Sequence, residues 1–303
     1  MVPNGWIILD KPLGLGSTQA VGAVKRNLRE AGYGTVKVGH GGTLDPLATG
    51  VLPIALGEAT KLCGQMLDAS KVYEFTIAFG AETDTLDLEG TVTERCDRLP
   101  TLAELSAVLP RFTGPIEQVP PAYSAIRIDG VHAYDRARAG EVVEMPKRAV
   151  TVHALDIMVA GEGPLAEVTL RAHVSKGTYI RSLARDIARS AGTLGHVTML
   201  RRLRAGPFDL TRAISLDNLN ELGKCAQLER ILLPLEAGLD DIPAIDLTPE
   251  QARAVHQGRV LTGMAFHDGL HWVRQGTRPL ALVQLSGGSL TVSRGFNLPD
   301  VAE

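Results

Sequence analysis

The chain has 303 residues, of which 45% are hydrophobic, and its formal net charge is -3. This length allows one large domain with a smaller one, and the apolar runs are too short to predict a membrane-spanning helix. The cysteines Cys63, Cys96 and Cys225 are widely separated and follow no CxxC spacing, which argues against a disulfide framework or a zinc site. We therefore expect a soluble, cytoplasmic globular protein without a targeting segment.

Charge is unevenly distributed along the chain. Nine Arg or Lys and two Asp lie between Arg171 and Arg212, whereas six carboxylates and two Arg lie between Ala81 and Pro100. Clustered basic side chains favour phosphate binding. The net charge therefore conceals one segment that suits a nucleic acid and one that does not.

The first third of the chain predicts a strand, a surface helix and a glycine-rich loop. GWIILDKP is typical of a short buried strand, and Ser17 is placed to cap the helix that follows. Residues 38–50, VGHGGTLDPLATG, form the glycine-rich loop. VYEFTIAF, residues 72–79, alternates in the manner of a strand and puts Tyr73 on its apolar face.

The middle of the chain predicts several strands separated by single helices. A capping box at residues 101–104 marks a helix start. Strands are predicted at 119–129, 150–159 and 166–174, and a helix with apolar residues at helical spacing follows Gly177. This order favours an α+β fold with a mixed, mainly antiparallel sheet over a regular βαβ alternation.

The pattern changes near Asp240. LDDIPAIDLTPEQARAVHQGRV predicts a turn, a short strand, a helix capped by Thr248 and a glycine stop, and LALVQLSG and SLTVSRGF predict short strands. We therefore divide the chain into a large domain, residues 1–239, and a small β-rich domain, residues 240–303, which is near the lower size limit for independent folding.

The glycine-rich loop contains one carboxylate, Asp45. An isolated Asp-Pro pair is more often a turn or a helix start, in which the carboxylate caps free amides. Here the glycines at positions 39, 41 and 42 allow the backbone to approach a ligand closely, and His40 lies five residues upstream. The loop lacks the features of a P-loop or a dinucleotide fingerprint. The second interpretation of this motif is that the loop holds the Asp45 carboxylate at a fixed place in a cleft.

A second motif, SKGTYIRSLARDIARSAG, places Arg181, Arg185 and Arg189 in one stripe of a predicted helix. Such a stripe can follow a row of phosphates, although a solvated helix face explains Arg185 and Arg189 nearly as well. Arg181 differs because it follows a strand-to-helix turn. There it could pair with a carboxylate from a distant segment and keep that carboxylate ionised.

The third motif is HVTMLRRLRAGPF, in which Arg201 and Arg202 follow the apolar Leu200. The apolar residues alone predict a core segment, and the arginines belong to the basic segment that begins at Arg171. The histidines near these motifs have no His or Cys partner at metal-ligand spacing, so no metal site is predicted. From the residues alone we expect an α+β protein with a carboxylate loop and a nucleic-acid-facing segment, without a defined reaction.

Six segments resemble, in the same order, the bacterial tRNA pseudouridine-55 synthases of the TruB type. They cover most of residues 5 to 210 and are GWIILDKPLGLGST, VGHGGTLDPLATGVLPIALGEATK, KVYEFTIAFGAETDTLDLEG, QVPPAYSAIRIDGVHAY, SKGTYIRSLARDIA and GHVTMLRRLRAGPF. The resemblance implies a pseudouridine-synthase fold with a PUA-like RNA-binding domain at residues 240–303. It also implies that uracil is detached from its ribose, turned and rejoined through C5, with no metal or redox cofactor.

By this resemblance the catalytic residues are Asp45, Tyr73 and Arg181. Asp45 takes part in detaching the uracil, Tyr73 stacks on the base and assists proton transfer at C5, and Arg181 pairs with Asp45. Attack on the sugar C1′, removal of the C2′ proton and addition to uracil C6 all stay open. The resemblance also implies that Leu200 lines the uracil pocket and that His40 helps to hold the RNA with its base flipped outward. For Tyr179 and Lys11 it implies more structural or RNA-positioning roles.

The expected partner is the T arm of tRNA, from which the target base must be flipped out of its stack. The absence of long basic tails predicts action alone, as a monomer without an obligate protein partner. Gly41 stands where the family usually has Thr or Ala, which predicts a slightly more flexible loop. We expect the backbone phosphates of the RNA to contact Lys176, Arg185, Arg189, Arg201 and Arg202.

Two alternatives stay open from the sequence. One is an RNA-binding or RNA-folding protein without catalysis on the same scaffold, which would release no tritium from tRNA labelled as 5-³H-uridine. The other is a pseudouridine synthase acting mainly on another RNA, as in the guide-RNA enzymes of eukaryotes and archaea. Intact Asp45, Tyr73 and Arg181 argue against the first, and a short chain without long basic tails favours stand-alone action over the second.

Overall fold

The computed structural model describes residues 3–124 and 126–298. A nine-stranded sheet and a four-stranded sheet organise these residues. In chain order the strands are β1 (Gly5–Lys11), β2 (Val38–His40), β3 (Ala48–Leu56), β4 (Lys71–Phe79), β5 (Ala81–Thr83), β6 (Val92–Arg95), β7 (Gly114–Gln118), β8 (Arg127–Ile128), β9 (Val131–His132), β10 (Arg148–Ala160), β11 (Glu167–Val174), β12 (Gly195–Ala205), β13 (Phe208–Asp209), β14 (Ala244–Asp246), β15 (Gly269–Gln275), β16 (Arg278–Ser286) and β17 (Ser289–Gly295).

Helices connect these strands and cover the sheets. The α-helices are α1 (Ser17–Glu30), α2 (Cys63–Asp68), α3 (Leu102–Val108), α4 (Ala133–Arg138), α5 (Ile180–Ser190), α6 (Leu216–Lys224) and α7 (Pro249–His256). Short 3-10 turns lie at Gly57–Leu62, Leu109–Phe112, Leu210–Arg212, Leu228–Ile231 and Leu235–Gly238. Among the described residues, none of these helices is long and apolar enough to cross a membrane.

The large sheet has the strand order β1-β3-β12-β4-β11-β10-β7, with β2 beside β3 and β13 beside β12. Neighbouring strands are antiparallel except for β3 and β12, which run parallel. The predicted α+β class with a mixed, mainly antiparallel sheet is therefore confirmed. The parallel pair places the end of the glycine-rich loop directly beside β12.

One face of the large sheet packs against α3 and α5. The helix predicted after Gly177 begins at Ile180, and its apolar stripe is buried against Phe75 and Ile77 of β4. Each such large apolar side chain contributes about 1.5–3 kcal/mol to folding when it is fully buried. This packing fixes the start of α5 against the strands that surround the candidate site.

Two of the three predicted helix caps are confirmed. Thr101 and Thr248 each accept a hydrogen bond from the N–H three residues later, and each forms a capping box. The prediction for Ser17 is wrong, because Gly16 is the N-cap residue of α1 and Ser17 is its first helical residue. The Ser17 hydroxyl is bonded to Leu44 of the glycine-rich loop instead.

The predicted strand at 119–129 is also wrong. Strand β7 ends at Gln118, and among the described residues of this stretch only Arg127–Ile128 pair, in a two-residue hairpin strand. The cause is Pro120-Pro121, because proline has no N–H to donate to a neighbouring strand. The strands predicted at 150–159 and 166–174 are confirmed as β10 and β11.

The chain after Asp240 forms a second sheet of order β14-β15-β16-β17, covered by α7, and the predicted C-terminal β-rich unit is confirmed. A hydrophobic cluster that includes Trp6, Leu239, Trp272 and Phe296 joins this sheet to β1 and β3. The cluster crosses the proposed boundary between residues 239 and 240, and the division at that point stays a prediction.

Candidate active site

A cavity of about 330 Å³ opens between the glycine-rich loop, β4, β12 and the start of α5. Five residues of the predicted catalytic and substrate-binding sets line it: Asp45, Tyr73, Tyr179, Arg181 and Leu200. The fold therefore brings the whole predicted catalytic set and two of the four predicted substrate-binding residues to one cavity.

The backbone on both sides of Asp45 is held by other segments. The Ser17 Oγ accepts a hydrogen bond from the Leu44 N–H at 2.8 Å and donates one to the Leu44 carbonyl at 2.9 Å. The N–H of Gly14 donates to the Pro46 carbonyl at 2.8 Å. Because both neighbours of Asp45 are fixed, its carboxylate projects from a rigid point of the loop.

Arg202 holds the same loop through hydrogen bonds to its backbone carbonyls. Its side chain is 1% exposed and donates to the carbonyls of Val51, Gly42 and Thr43 at 2.7, 3.1 and 3.3 Å. The prediction that Arg202 contacts backbone phosphates is therefore wrong. Alternate residues of a strand face opposite sides, so Arg202 shares the inner side of β12 with Leu200.

Lys11 is hydrogen-bonded to the glycine-rich loop at Pro46, the residue after Asp45. Its side chain is 0% exposed, and its Nζ donates to the carbonyls of Leu15, Pro12 and Pro46 at 2.6, 3.0 and 3.3 Å. Burial lowers the pKa of Lys11 to about 8, against the opposing effect of the Asp45 charge. Lys11 does not line the cavity, and the structural or RNA-positioning role that the resemblance implies for it stays a prediction.

An ion-pair network holds the Asp45 carboxylate. Its Oδ2 accepts a hydrogen bond from Arg181 Nη2 at 2.9 Å, and Arg181 Nη1 lies 3.2 Å from Asp87 Oδ2. Arg181 also donates to the carbonyls of Thr85 and Tyr123. The Arg181 side chain is 9% exposed, whereas that of Asp45 is 43% exposed. A buried cation thus holds a carboxylate that stays open to the cavity through a charge-assisted hydrogen bond.

Two residues that help to build this network were missed by the sequence analysis. Asp87 belongs to the acidic segment that was set aside as unsuited to RNA. Gln118 accepts from the Tyr179 N–H at 3.0 Å and donates to the Tyr179 carbonyl at 3.1 Å, which clamps the start of α5. Both lie within segments that carry the family resemblance, and this was the available signal.

Apolar and aromatic surfaces form the rest of the cavity. Tyr73 of β4 pairs with Arg202 of β12, and Leu200 pairs with Phe75, which sets these side chains beside one another. Tyr179 lies opposite, and burial raises the pKa of its hydroxyl. Such surfaces suit a flat ring, because aromatic side chains stack on other aromatic systems.

His40 and Gly41 lie beside the cavity and do not line it. The Nδ1 of His40 accepts a hydrogen bond from the Gly42 N–H at 3.4 Å, and burial lowers the pKa of the ring. A Cβ atom on Gly41 would lie 2.7 Å from the Cβ of Met66, which is too close. Packing against Met66 therefore accounts for glycine at this position.

The predicted phosphate-binding side chains other than Arg202 all have carboxylate partners. Their ion pairs have N–O distances of 2.7 to 2.9 Å and are Lys176–Asp68, Arg185–Asp186, Arg189–Glu82 and Arg201–Asp10. The acidic segment supplies Glu82, so the two charged segments partly neutralise each other. Phosphate contacts by these four residues stay a prediction.

A further arginine at the rim of the cavity was not singled out from the sequence. Arg148 lies over the Tyr179 ring, 5.6 Å from its centroid, and donates to the Gly177 carbonyl at 3.3 Å. Within residues 3–124 and 126–298, no carboxylate forms an ion pair with it. Its guanidinium therefore has hydrogen-bond donors available for an anion.

Comparison with known proteins agrees with this geometry. Residues 29–180 match the model of the TruB family pseudouridylate synthase N-terminal domain, and residues 181–240 match that of the tRNA pseudouridylate synthase B C-terminal domain. The chain belongs to the TruB family of pseudouridylate synthases. It is therefore an RNA-modifying isomerase, and the resemblance found in the sequence is confirmed.

Full-length relatives in the TruB family are close. The chain is 70% identical to tRNA pseudouridine synthase B of Novosphingobium aromaticivorans, with 99% of each chain covered. It is 54% identical to the protein of that name from Zymomonas mobilis, covering 97% of this chain and 96% of the relative.

Solved structures of more distant proteins share the fold. A Cbf5-Nop10-Gar1 complex matches with a TM-score of 0.74 and 26% identity, over 98% of this chain and 86% of that chain. An archaeal box H/ACA Nop10-Cbf5 complex matches with a TM-score of 0.72 and 25% identity, over 98% and 87%. The pseudouridine-synthase fold expected from the sequence is therefore confirmed.

Proposed function

We propose that this chain isomerises uridine 55 in the T loop of tRNA to pseudouridine, with Asp45 as the reacting carboxylate. The observation that carries the proposal is the exposed Asp45 carboxylate, bonded to the buried Arg181 within a cavity lined by Tyr73 and Leu200. Relatives at 70% and 54% identity named tRNA pseudouridine synthase B support tRNA as the substrate.

The proposed chemistry follows from an ionised carboxylate beside a nucleoside. Asp45 attacks C1′ or removes the C2′ proton, and in either case the bond between C1′ and uracil N1 breaks. The base turns within the cavity and rejoins the sugar through C5. Tyr73, on the cavity wall, is proposed to stack on the base and to assist removal of the C5 proton.

The cavity also supports base flipping. Extracting a stacked nucleotide costs a few kcal/mol, and stacking surfaces in the enzyme offset part of that loss. Tyr73, Tyr179 and Leu200 supply such surfaces. His40, beside the loop, is proposed to hold the RNA with its base turned outward.

We propose that Arg148 at the cavity rim binds a backbone phosphate close to the flipped nucleotide. This assignment is supported by its free donors, and the ring of Tyr179 beneath the guanidinium restricts its orientation. The exposed basic residues Lys176 and Arg189 would have to exchange a carboxylate for a phosphate. Residues 240–303 are proposed to add RNA contacts as a PUA-like unit.

The test is position-resolved analysis of pseudouridine in T-arm RNA incubated with the purified chain alone. The expected result is pseudouridine at position 55 and none in a control RNA that carries cytidine there. Modification at a different uridine would overturn the assigned position, and binding without modification would favour a non-catalytic RNA-binding protein. A requirement for added protein or guide RNA would contradict stand-alone action.

A further inference from the structure

Three buried cations surround the cavity without a carboxylate partner: Lys11, Lys71 and Arg202. Their exposed fractions are 0%, 7% and 1%. In the described part of the chain, none of the three forms an ion pair. A buried charge without a counter-ion is strongly unfavourable, so other polar groups must satisfy its hydrogen-bond donors.

Neutral carbonyl groups provide the compensation. Lys71 Nζ donates to three carbonyls at the end of α2, at 2.8, 2.7 and 2.6 Å, which belong to Met66, Leu67 and Ala69. Lys11 and Arg202 each donate to three carbonyls as well. These bonds satisfy the donors and leave the positive charges uncancelled.

Other charged groups around Lys71 do not remove its charge at neutral pH. Burial lowers its pKa to about 8, with smaller effects from Arg202 and Lys176, which lower the pKa, and Asp68, which raises it. Asp68 is already paired with Lys176 at 2.9 Å. Lys71 is therefore mostly protonated at neutral pH.

The three cations are placed around the proposed reacting group. Lys71 and Arg202 line the cavity together with Asp45 and Tyr73. Lys11 lies behind the loop and is bonded to the residue that follows Asp45. In a partly desolvated cavity these charges act over a longer distance than they would in water.

We propose that Lys71, Arg202 and Lys11 form a preorganised positive site that stabilises the uracil anion formed during the reaction. This inference rests on the proposed function. When the C1′–N1 bond breaks, its electron pair moves to N1 and spreads onto the carbonyl oxygens of the base. Asp45 meanwhile bonds to C1′ or accepts the C2′ proton.

The base then rejoins the sugar through its carbon C5. An electron pair from C5 forms the new bond to C1′, and Asp45 leaves C1′ or returns the C2′ proton. The C5 proton is then removed and N1 gains a proton, which completes the product. The three cations act through their charge. Fixed charges lower the energy of an anion without reorganising during the reaction.

The test compares two leaving groups in single-turnover reactions on T-arm RNA. One RNA carries uridine at position 55 and the other 5-fluorouridine, whose fluorine stabilises the departing anion. The pH is mildly acidic, so that both bases are neutral. Loss of each parent nucleoside is measured for the wild type, for Lys71→Gln and Lys71→Met, which lack the charge, and for Lys71→Arg, which keeps it.

We expect the neutral variants to react about 10–100-fold more slowly on uridine, because a preorganised electrostatic group is lost. The loss should be several-fold smaller on 5-fluorouridine. RNA affinity should be unchanged, because the interaction is needed only once the anion develops. Lys71→Arg should recover most of the rate.

Equal losses on the two substrates would overturn the inference, since a purely structural defect does not depend on the leaving group. A loss explained by lower melting temperature would overturn it as well, and Lys11→Gln supplies a second neutral variant if both changes at position 71 prevent folding. Wild-type protein that forms no pseudouridine would instead refute the proposed function. The two failures are therefore distinguishable.

Discussion

The two ends of helix α5 carry ion pairs that differ in which partner is buried. At the first turn, Arg181 is 9% exposed and holds Asp45, which is 43% exposed. At the last turn, Glu82 is 11% exposed and holds Arg189, which is 54% exposed. The first pair presents a carboxylate to a cavity, and the second presents a cation to solvent.

This difference shows that a repeated spacing does not assign a repeated role. In the sequence, Arg181 and Arg189 belong to the same stripe of one helix. In the fold, Arg181 lies between Asp45 and Asp87, whereas Arg189 pairs with Glu82 of β5. Burial and the nature of the neighbouring space separate the two roles, and charge patterning alone does not.

Among the residues that hold Asp45, substitution of Arg181 at the first turn should have the largest effect on stability and turnover. Arg181→Met leaves the buried Asp87 without its partner, so the free energy of unfolding should fall by about 3–5 kcal/mol and turnover by about 100-fold or more. Denaturant unfolding and single-turnover tritium release measure the two quantities separately.

The double variant Arg181→Met/Asp87→Asn sharpens this prediction. Removing both buried charges should recover most of the lost stability, because a buried ion pair can often be replaced at little net cost. Turnover should stay low, since Asp45 still lacks its guanidinium partner. Recovery of turnover together with stability would mean that the network is chiefly structural.

Arg148 should give an intermediate effect that appears in binding. Arg148→Gln is expected to weaken RNA affinity about 5–10-fold and to reduce the slope of log affinity against log salt by about 0.7–0.9, the effect of one lost phosphate contact. Arg111→Gln, at an exposed arginine in the turn after α3, serves as the control. An unchanged salt slope in Arg148→Gln would rule out the phosphate contact.

Arg189 at the last turn of α5 should give the smallest effect. Arg189→Gln should lower the free energy of unfolding by about 1–2 kcal/mol, less than Arg181→Met, because glutamine still offers an N–H to the mostly buried Glu82, and turnover should be unchanged. Thermal melts and RNA titrations test this. A large loss of RNA affinity would instead support the interpretation of the helix as a phosphate-binding stripe.

Local elements were the most predictable part of the fold. Helix α5 and the caps at Thr101 and Thr248 follow from periodicity and from hydrogen-bonding side chains close in sequence. The glycine-rich loop identified Asp45 as a candidate because its composition is unusual within a short window. These features depend on neighbours only a few residues apart.

The supports of the site depend on contacts between distant segments, and sequence patterns did not provide them. Ser17 was interpreted as a helix cap because no local feature indicates that Leu44 lies beside it. Arg202 was placed with the surface arginines, although the two-residue period of a strand puts it on the side of Leu200. Asp87 could not be linked to Arg181 before the sheet was known.

The most direct measurement of the central claim is pseudouridine mapping in tRNA treated with wild-type protein or with Asp45→Asn. The substitution keeps the size of the side chain and removes the charge that we propose attacks the sugar or accepts its proton. We predict pseudouridine at position 55 with the wild type and none with the variant, although the variant still binds the tRNA. Pseudouridine formed by Asp45→Asn, under conditions that exclude deamidation, would contradict the assignment of Asp45 as the reacting group.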